Sequence, residues 1–252
     1  MVRFRRQTYS LENATLAMEL TLSDRVNIAE GTMGLWLRPE RTVRFTAGQF
    51  GDFTLGQPPY TDSRGNTRTF SFASAPDNDR ILIATRLRDS AFKRSLTVVP
   101  LGATFQLMGP MGGFTLHKDA HRPAVFLAGG IGITPVRSIV EHATQRRLAH
   151  RICVFYSNQT RARVAFLEDF EAWARTNDNL RFVPTLTQER TEGWAYEHGP
   201  IDQQMIAKYV PDLGAPVYYI VGPPAMVRRM KGVLEGIGIH ELQIKSEDFA
   251  GY

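Results

Sequence analysis

The chain is short of cysteine: among 252 residues there is one, Cys153. That excludes an internal disulfide and any iron-sulfur cluster held by cysteines of this sequence. Cys153 lies in the apolar run Arg151-Ile152-Cys153-Val154-Phe155-Tyr156, which reads as a buried strand, so it is expected to be a small core residue. Long hydrophobic runs are also missing. Nothing approaches the roughly 18 apolar residues that cross a bilayer, and Met1-Val2-Arg3-Phe4-Arg5-Arg6 is not followed by a signal-peptide core. The expectation is a cytoplasmic protein with no membrane insertion. The sequence has no repeats and no low-complexity tract. Its histidines do not assemble a metal site: His117 and His121 flank a segment that is not convincingly helical, and no carboxylate or cysteine cluster joins them.

What is present is an ordinary globular composition, 43% hydrophobic and 22% charged, with a net charge of +5. The length allows two domains, each with its own core. The basic residues are scattered, as Arg146-Arg147, Arg161 with Arg163, and Arg228-Arg229 with Lys231, and no nucleic-acid-binding signature accompanies them. Most are expected on solvated surface, with an acidic protein partner as the functional alternative.

Two halves differ in hydrophobic period. Residues 1 to 116 carry short β-rich runs (Thr15 to Leu22, Gly34 to Leu37, Phe50 to Leu55, Thr67 to Ala73, Arg80 to Arg86, Ala103 to Met108) separated by turn residues. One short helix, Ser90 to Leu96, interrupts them. That spacing predicts an antiparallel barrel or sandwich. Residues 123 to 252 alternate strand and helix: Ala124 to Ala128, Pro135 to Arg147, Ile152 to Tyr156, Ala165 to Arg175, Leu180 to Val183, Ile201 to Tyr209, Val217 to Val221, Ala225 to Glu235 and Leu242 to Ile244. Such alternation predicts an α/β doubly wound parallel sheet. His117 to Pro123 is the expected linker.

Gly129-Gly130-Ile131-Gly132-Ile133-Thr134-Pro135 joins the first strand of this second half to its first helix. Glycines there let backbone approach a pyrophosphate, and free amides at the helix start offset phosphate charge. Thr134 suits the N-cap and Pro135 the first helical position. The same run equally serves plain strand-to-helix packing.

Further motifs decide between these. Arg68-Thr69-Phe70-Ser71 resembles the Arg-x-Tyr-Ser flavin motif of the ferredoxin-NADP reductase family. Gly48-Gln49-Phe50, Gly109-Pro110-Met111-Gly112-Gly113-Phe114, the run Gly129 to Pro135, Gly222-Pro223-Pro224-Ala225-Met226 and Glu247-Asp248-Phe249 resemble other elements of that family, in its order and across nearly the whole chain.

The resemblance implies a flavin-binding barrel followed by an NAD(P)-binding domain. Arg68 and Thr69 would hold the flavin phosphate region, Arg68 through its planar charged fork. Phe70, where the family has tyrosine, would lie against the isoalloxazine. Ser71 would place its hydroxyl near N5, the hydride-accepting atom. Ala91, Phe92, Lys93 and Ser95 lie where relatives bring a helix N-terminus to the pyrophosphate, which implies FAD. Gly130 and Gly132 would admit the dinucleotide pyrophosphate, and Thr134 would sit near the nicotinamide. Gly222, Pro223 and Met226 would form the second nucleotide loop. After the second strand, Ser157-Asn158-Gln159-Thr160-Arg161-Ala162-Arg163 supplies no acid and two arginines, which favours NADP over NAD, although Gln159 stands where many relatives carry arginine. Val221 replaces a frequent cysteine and is expected to shape an apolar pocket. Glu247 is a candidate proton route. Phe249 would cover the flavin and move for hydride transfer, with Tyr252 stacking further along FAD or taking over the cover.

The implied activity is that of an NAD(P)H-dependent flavoprotein reductase delivering single electrons to a separate acidic carrier such as ferredoxin or flavodoxin. The alternatives are a reductase of free flavin or another small acceptor, an electron-transfer subunit of a larger complex, and a binding module without turnover.

Overall fold

A computed structural model describes residues 17–190 and 192–249. The first half folds into six antiparallel strands: β1 (Met18–Ala29), β2 (Thr32–Pro39), β3 (Phe50–Leu55), β4 (Thr67–Ser71), β5 (Ile81–Arg86) and β6 (Thr104–Met111), with α1 (Ala91–Val98) between the last two. Their order is β4-β3-β6-β1-β2-β5. The outer strands meet through the residues beyond β4: the Ala73 amide donates to the Leu82 carbonyl at 2.7 Å and the Leu82 amide to the Ser74 hydroxyl at 3.0 Å. Alternating side chains such as Leu20, Leu22, Phe53, Leu55, Phe105 and Leu107 fill the interior. Strand β1 runs on past Leu22, the end expected from the sequence, and two register shifts, at Leu22/Asp24 and Asn27/Ala29, absorb extra residues as bulges.

The second half is β7 (Ala124–Gly129), α2 (Ile133–Gln145), β8 (Ile152–Asn158), α3 (Leu167–Thr176), β9 (Leu180–Leu186), β10 (Glu197–His198), α4 (Gln203–Tyr209), β11 (Val217–Gly222), α5 (Pro224–Gly236) and β12 (Ile244–Asp248). Its strands are all parallel, in the order β10-β9-β8-β7-β11-β12. Helices α2 and α3 cover one face and α4 and α5 the other. This is the doubly wound sheet the alternation predicts. The short β10 carries no readable periodicity. Strand β9 continues through Pro184, which pairs with Tyr156 of β8 and has no residue of β10 opposite it, so the proline sits where β9 is paired on one side only. The last strand lies further along than Leu242 to Ile244: residues 241–243 form a 3-10 turn, and Leu242 is 86% exposed.

One apolar cluster crosses the boundary between the halves. Ala47, Ala73, Leu82 and Phe114 of the barrel pack with Ile133, Val136 and Ile139 of α2 and with Phe126 and Tyr219 of the parallel sheet. Helix α2 is therefore sandwiched between barrel and sheet. In the connecting segment, His117 bonds through its amide and ring to the Tyr219 hydroxyl, at 2.8 and 3.0 Å. Among the described residues no helix is long and apolar enough to cross a membrane.

Candidate functional site

Strand order reverses between β7 and β11, and a crevice forms there beyond the carboxyl ends of the strands. The turn after β7 is a 3-10 turn, Gly130–Gly132, running straight into α2. The helix start therefore differs from the sequence expectation. Gly132 precedes the first helical residue and Pro135 is the third, tolerated because the first amides of a helix have no internal acceptor. Thr134 is buried, and its hydroxyl donates to the Ile131 carbonyl at 3.1 Å rather than capping the helix or facing a ligand.

The glycines divide by task. A Cβ on Gly132 would stand 2.8 Å from the Gly222 Cα and 2.9 Å from the Val221 carbonyl oxygen, and one on Gly129 would run into the Met226 sulfur. These residues let the two loops touch. Gly130 is different: its φ is +53°, and the nearest atom to an added Cβ is an Arg86 nitrogen at 4.0 Å. Its open backbone faces a cavity of about 720 Å³ that also receives Ser157, Asn158, Gln159, Arg163, Gly222, Pro223 and Met226. Tyr156, missed by the sequence reading, steadies this loop from below. Its hydroxyl donates to the Gly130 carbonyl at 3.0 Å and accepts the Ala165 amide at 3.3 Å, and burial pushes its pKa up to about 12.

Two expected members of this site lie elsewhere. Arg161 lines a separate groove with Val26, Trp36 and Phe166, and its amide is held by the Glu189 carboxylate at 2.7 Å. Val221 is fully buried between β7 and β12, so it shapes core rather than a pocket wall. Arg163 does reach the cavity, bonded to the Gln159 side chain and 3.7 Å from Glu30. Arg86, Arg88 and Arg229 join it there. They come from β5, the loop after it and α5, and no spacing in the sequence links them.

A second cavity, of about 540 Å³, opens on the barrel side. Arg68, Thr69, Phe70, Ser71, Lys93, Glu247 and Phe249 line it together, with Phe50, Arg64, Arg88, Asp89 and Ser90. Arg68 anchors one terminal nitrogen on the carbonyls of Arg64, Gly65 and Thr67, at 2.7 to 3.1 Å, and its guanidinium lies 5.0 Å from the Phe92 ring centre. Its other terminal nitrogen is buried without a partner. Burial lowers the Lys93 pKa to about 8, with Arg88 and Arg68 adding repulsion. Such a crowd of cations is a setting for an anion. Across the cavity, burial raises the Glu247 carboxyl to about 7, the Asp248 charge adds to this, and one carboxyl oxygen has no partner.

Helix α1 departs from its expected role. Its first amide, Ala91, donates to Asp62 at 3.1 Å, and the Lys93 amide donates to the Ser90 hydroxyl at 3.3 Å. Ser95 is buried, and its hydroxyl both donates to the Tyr60 carbonyl and accepts the Tyr60 amide, each at 3.0 Å. Phe92 is core beneath Phe70. Ala91, Phe92 and Ser95 thus shape the wall rather than line the cavity, and of the α1 candidates only Lys93 reaches it. Phe70 gives most of its ring to Phe53 and Phe92, at centroid distances of 5.9 and 6.1 Å, leaving it 4% exposed.

Phe249 and Arg88 line both cavities. The Phe249 amide donates to the Gly222 carbonyl at 2.9 Å, tying the end of β12 to the second glycine loop. Tyr252 lies outside the described residues. The two cavities are neighbours separated by an aromatic side chain, an arrangement suited to bringing two flat rings together.

Comparison with known proteins agrees with this fold. Residues 126–232 match the family model for an oxidoreductase NAD-binding domain. The chain is 28% identical over 210 residues to the reductase component DmpP of phenol 2-monooxygenase from Pseudomonas sp. (strain CF600), covering 82% of this chain but 58% of that protein. It is 27% identical over 213 residues to ferredoxin-NADP reductase B of Sorangium cellulosum, covering 81% and 85% of the two chains. The fold superimposes on a ferredoxin-NADP+ reductase from Neisseria gonorrhoeae solved with FAD and NADP, with a TM-score of 0.77, 20% identity and coverage of 94% and 99%.

Proposed function

We propose that this chain is a reductase of the ferredoxin-NADP reductase family that takes hydride from NADPH onto FAD and passes electrons singly to a separate carrier protein. The observation that carries this is the adjacency of the two cavities, one cationic and lined by the Arg68 to Ser71 motif, the other floored by open glycine backbone, with Phe249 between them. FAD, when bound, supplies an acceptor for hydride at N5 that can return electrons one at a time.

The residues fit both groups. Lys93 and the buried Arg68 nitrogen that has no partner suit flavin phosphate, with Thr69 on the same strand as Arg68. Ser71 and Glu247 border the flavin side, and a carboxyl that titrates near 7 suits holding or releasing a proton there. Gly130 gives the dinucleotide a close backbone approach, and Gly132, Gly222, Pro223 and Met226 line the same cavity. Ser157 and Arg163 flank the expected ribose position, and the cavity arginines favour a 2′-phosphate, hence NADP over NAD. Phe249 excludes water from the join and swings aside for the nicotinamide. We assign residues 1–116 to the flavin-binding unit and 123–252 to the nucleotide-binding unit.

A cysteine-ligated cluster cannot be built from one cysteine, so a one-electron iron-sulfur carrier must be another protein or another chain segment. The charge of +5 suits an acidic carrier of the ferredoxin or flavodoxin kind. The cytoplasm is the compartment this reading implies. Service within a larger oxygenase system is the second reading, favoured by the match to a monooxygenase reductase component. Anaerobic mixing of the flavin-loaded protein with NADPH and with NADH tests the proposal. NADPH bleaches the flavin faster, and added ferredoxin or flavodoxin restores the colour. No bleaching with either nucleotide overturns it, and bleaching with reoxidation only by free flavin points to a small-acceptor reductase.

A further inference from the structure

The chain segment leaving the Arg68 to Ser71 motif and the helix leaving the glycine turn are fastened to each other away from both cavities. Ala73 is two residues beyond Ser71, and α2 begins one residue after Gly132. Three consecutive barrel residues are each gripped from α2. Arg137 donates to the Ala73 carbonyl at 2.7 Å, Ser138 to the Ser74 carbonyl at 2.7 Å, and the Glu141 carboxylate accepts the Ala75 amide at 2.6 Å. Glu141 also receives the Asn78 side chain at 3.2 Å and pairs with Arg137 at 3.1 Å. Arg137 and Glu141 are both buried, and the guanidinium lies over the Phe166 and Trp173 rings at 4.9 and 5.1 Å. A further arm of Arg137, to Asp169 at 2.8 Å, stays inside the α/β half.

A buried ion pair is poor glue, since apolar residues of similar size usually hold a joint at least as well. What it adds is direction: apolar surfaces slide, whereas these bonds are made in one register. We propose that Arg137 and Glu141, assisted by Ser138, are positioning residues that fix Ser71 and the flavin cavity in register with the glycine turn and the nucleotide cavity. This rests on the proposed hydride transfer, in which a misplacement of about 1 Å costs on the order of 100-fold in rate.

The test uses flavin-loaded protein with both residues replaced, Arg137→Met with Glu141→Met, so that neither charge is left buried alone. Asp169→Asn, whose polar partner is Arg137 and not a barrel residue, is the control. FAD content, NADP+ affinity, melting temperature, the long-wavelength nicotinamide-flavin charge-transfer absorbance and the single-turnover rate of flavin reduction are measured for each. The double variant is expected to keep its FAD and bind NADP+ within about threefold, lose the charge-transfer band, and reduce flavin roughly 10- to 100-fold more slowly. Asp169→Asn is expected to keep band and rate whatever its melting temperature. Should the double variant not fold, Arg137→Lys, which keeps the charge but loses the fork, is read the same way. An unchanged band with slowing of less than threefold overturns the proposal, as does an equal loss in Asp169→Asn at equal melting temperature. Wild-type protein that neither nucleotide bleaches defeats the proposed function and this inference together. Wild type that bleaches beside a double variant of equal rate defeats the register alone.

Discussion

The barrel cavity is made by side chains and the sheet cavity by backbone. On the barrel side, polar atoms are left over: a buried Arg68 nitrogen and a buried Glu247 oxygen have no partner, so the wall is chemically unsaturated. On the sheet side, the shape comes from what is missing, since Gly129, Gly132 and Gly222 allow two loops to meet and Gly130 leaves its backbone open. A site of the first kind should fail by losing affinity for its ligand, and one of the second kind by losing its form.

The largest effect is expected where form is at stake. Gly132→Ala forces a methyl into the Gly222 backbone and should cost about 3 kcal/mol, at the upper end of ordinary overpacking, whereas Gly130→Ala meets open space and pays only about 1 kcal/mol for its left-handed backbone. Thermal melts of the two variants check this, and equal losses would erase the distinction. Next comes Arg68→Ala, which should leave the melting temperature of the flavin-free protein nearly unchanged and weaken flavin binding by roughly 10- to 100-fold, the worth of a charge-assisted bond, as read by fluorescence of released flavin.

Glu247 sharpens the comparison through pH. Burial lifts its carboxyl from 4.5 to about 7, so between those values the folded chain binds more protons than the unfolded one. The Glu247 contribution to stability therefore falls as pH rises through that window and levels off above it. Glu247→Gln keeps the neutral shape, so it should match wild type near pH 4.5 and be more stable at pH 8 by on the order of 2 kcal/mol in parallel melts. The smallest effects belong to the two arginines after β8. Arg163→Ala should lower kcat/KM for NADPH several-fold while sparing NADH, and Arg161→Ala should change neither beyond about twofold, since it faces a different groove.

Much of this was legible before folding, for identifiable reasons. Turn-separated β runs and strand-helix alternation are local consequences of burial period, and both halves of the fold follow from them. Arg68, Ser71, Lys93, Glu247 and Phe249 share one cavity although they lie up to 181 positions apart, and their motifs had marked all but the last arrangement of their side chains. Misreadings came where a local signal met a tertiary competitor. Thr134 has the chemistry of a cap, but the preceding turn already supplies the helix start. Ser95 and the first amide of α1 look available for phosphate, but Tyr60 and Asp62, on a distant loop, reach them first. Arg161 and Arg163 are two residues apart, and the turn that carries them directs them to different grooves.

By itself the sequence determined the two architectures and their order, because strand and helix periods and turn residues act over a few neighbours, and its resemblance to a reductase family singled out the tetrapeptide and glycine runs to which the chemistry is assigned. Only the tertiary structure decided which glycines bend and which merely make room, which arginines line a cavity, and how Arg137, Ser138 and Glu141 bind Ala73 to Ala75 across the domain join. Those outcomes depend on competition among distant groups for the same hydrogen bonds and the same space, and that competition exists only once the chain has closed.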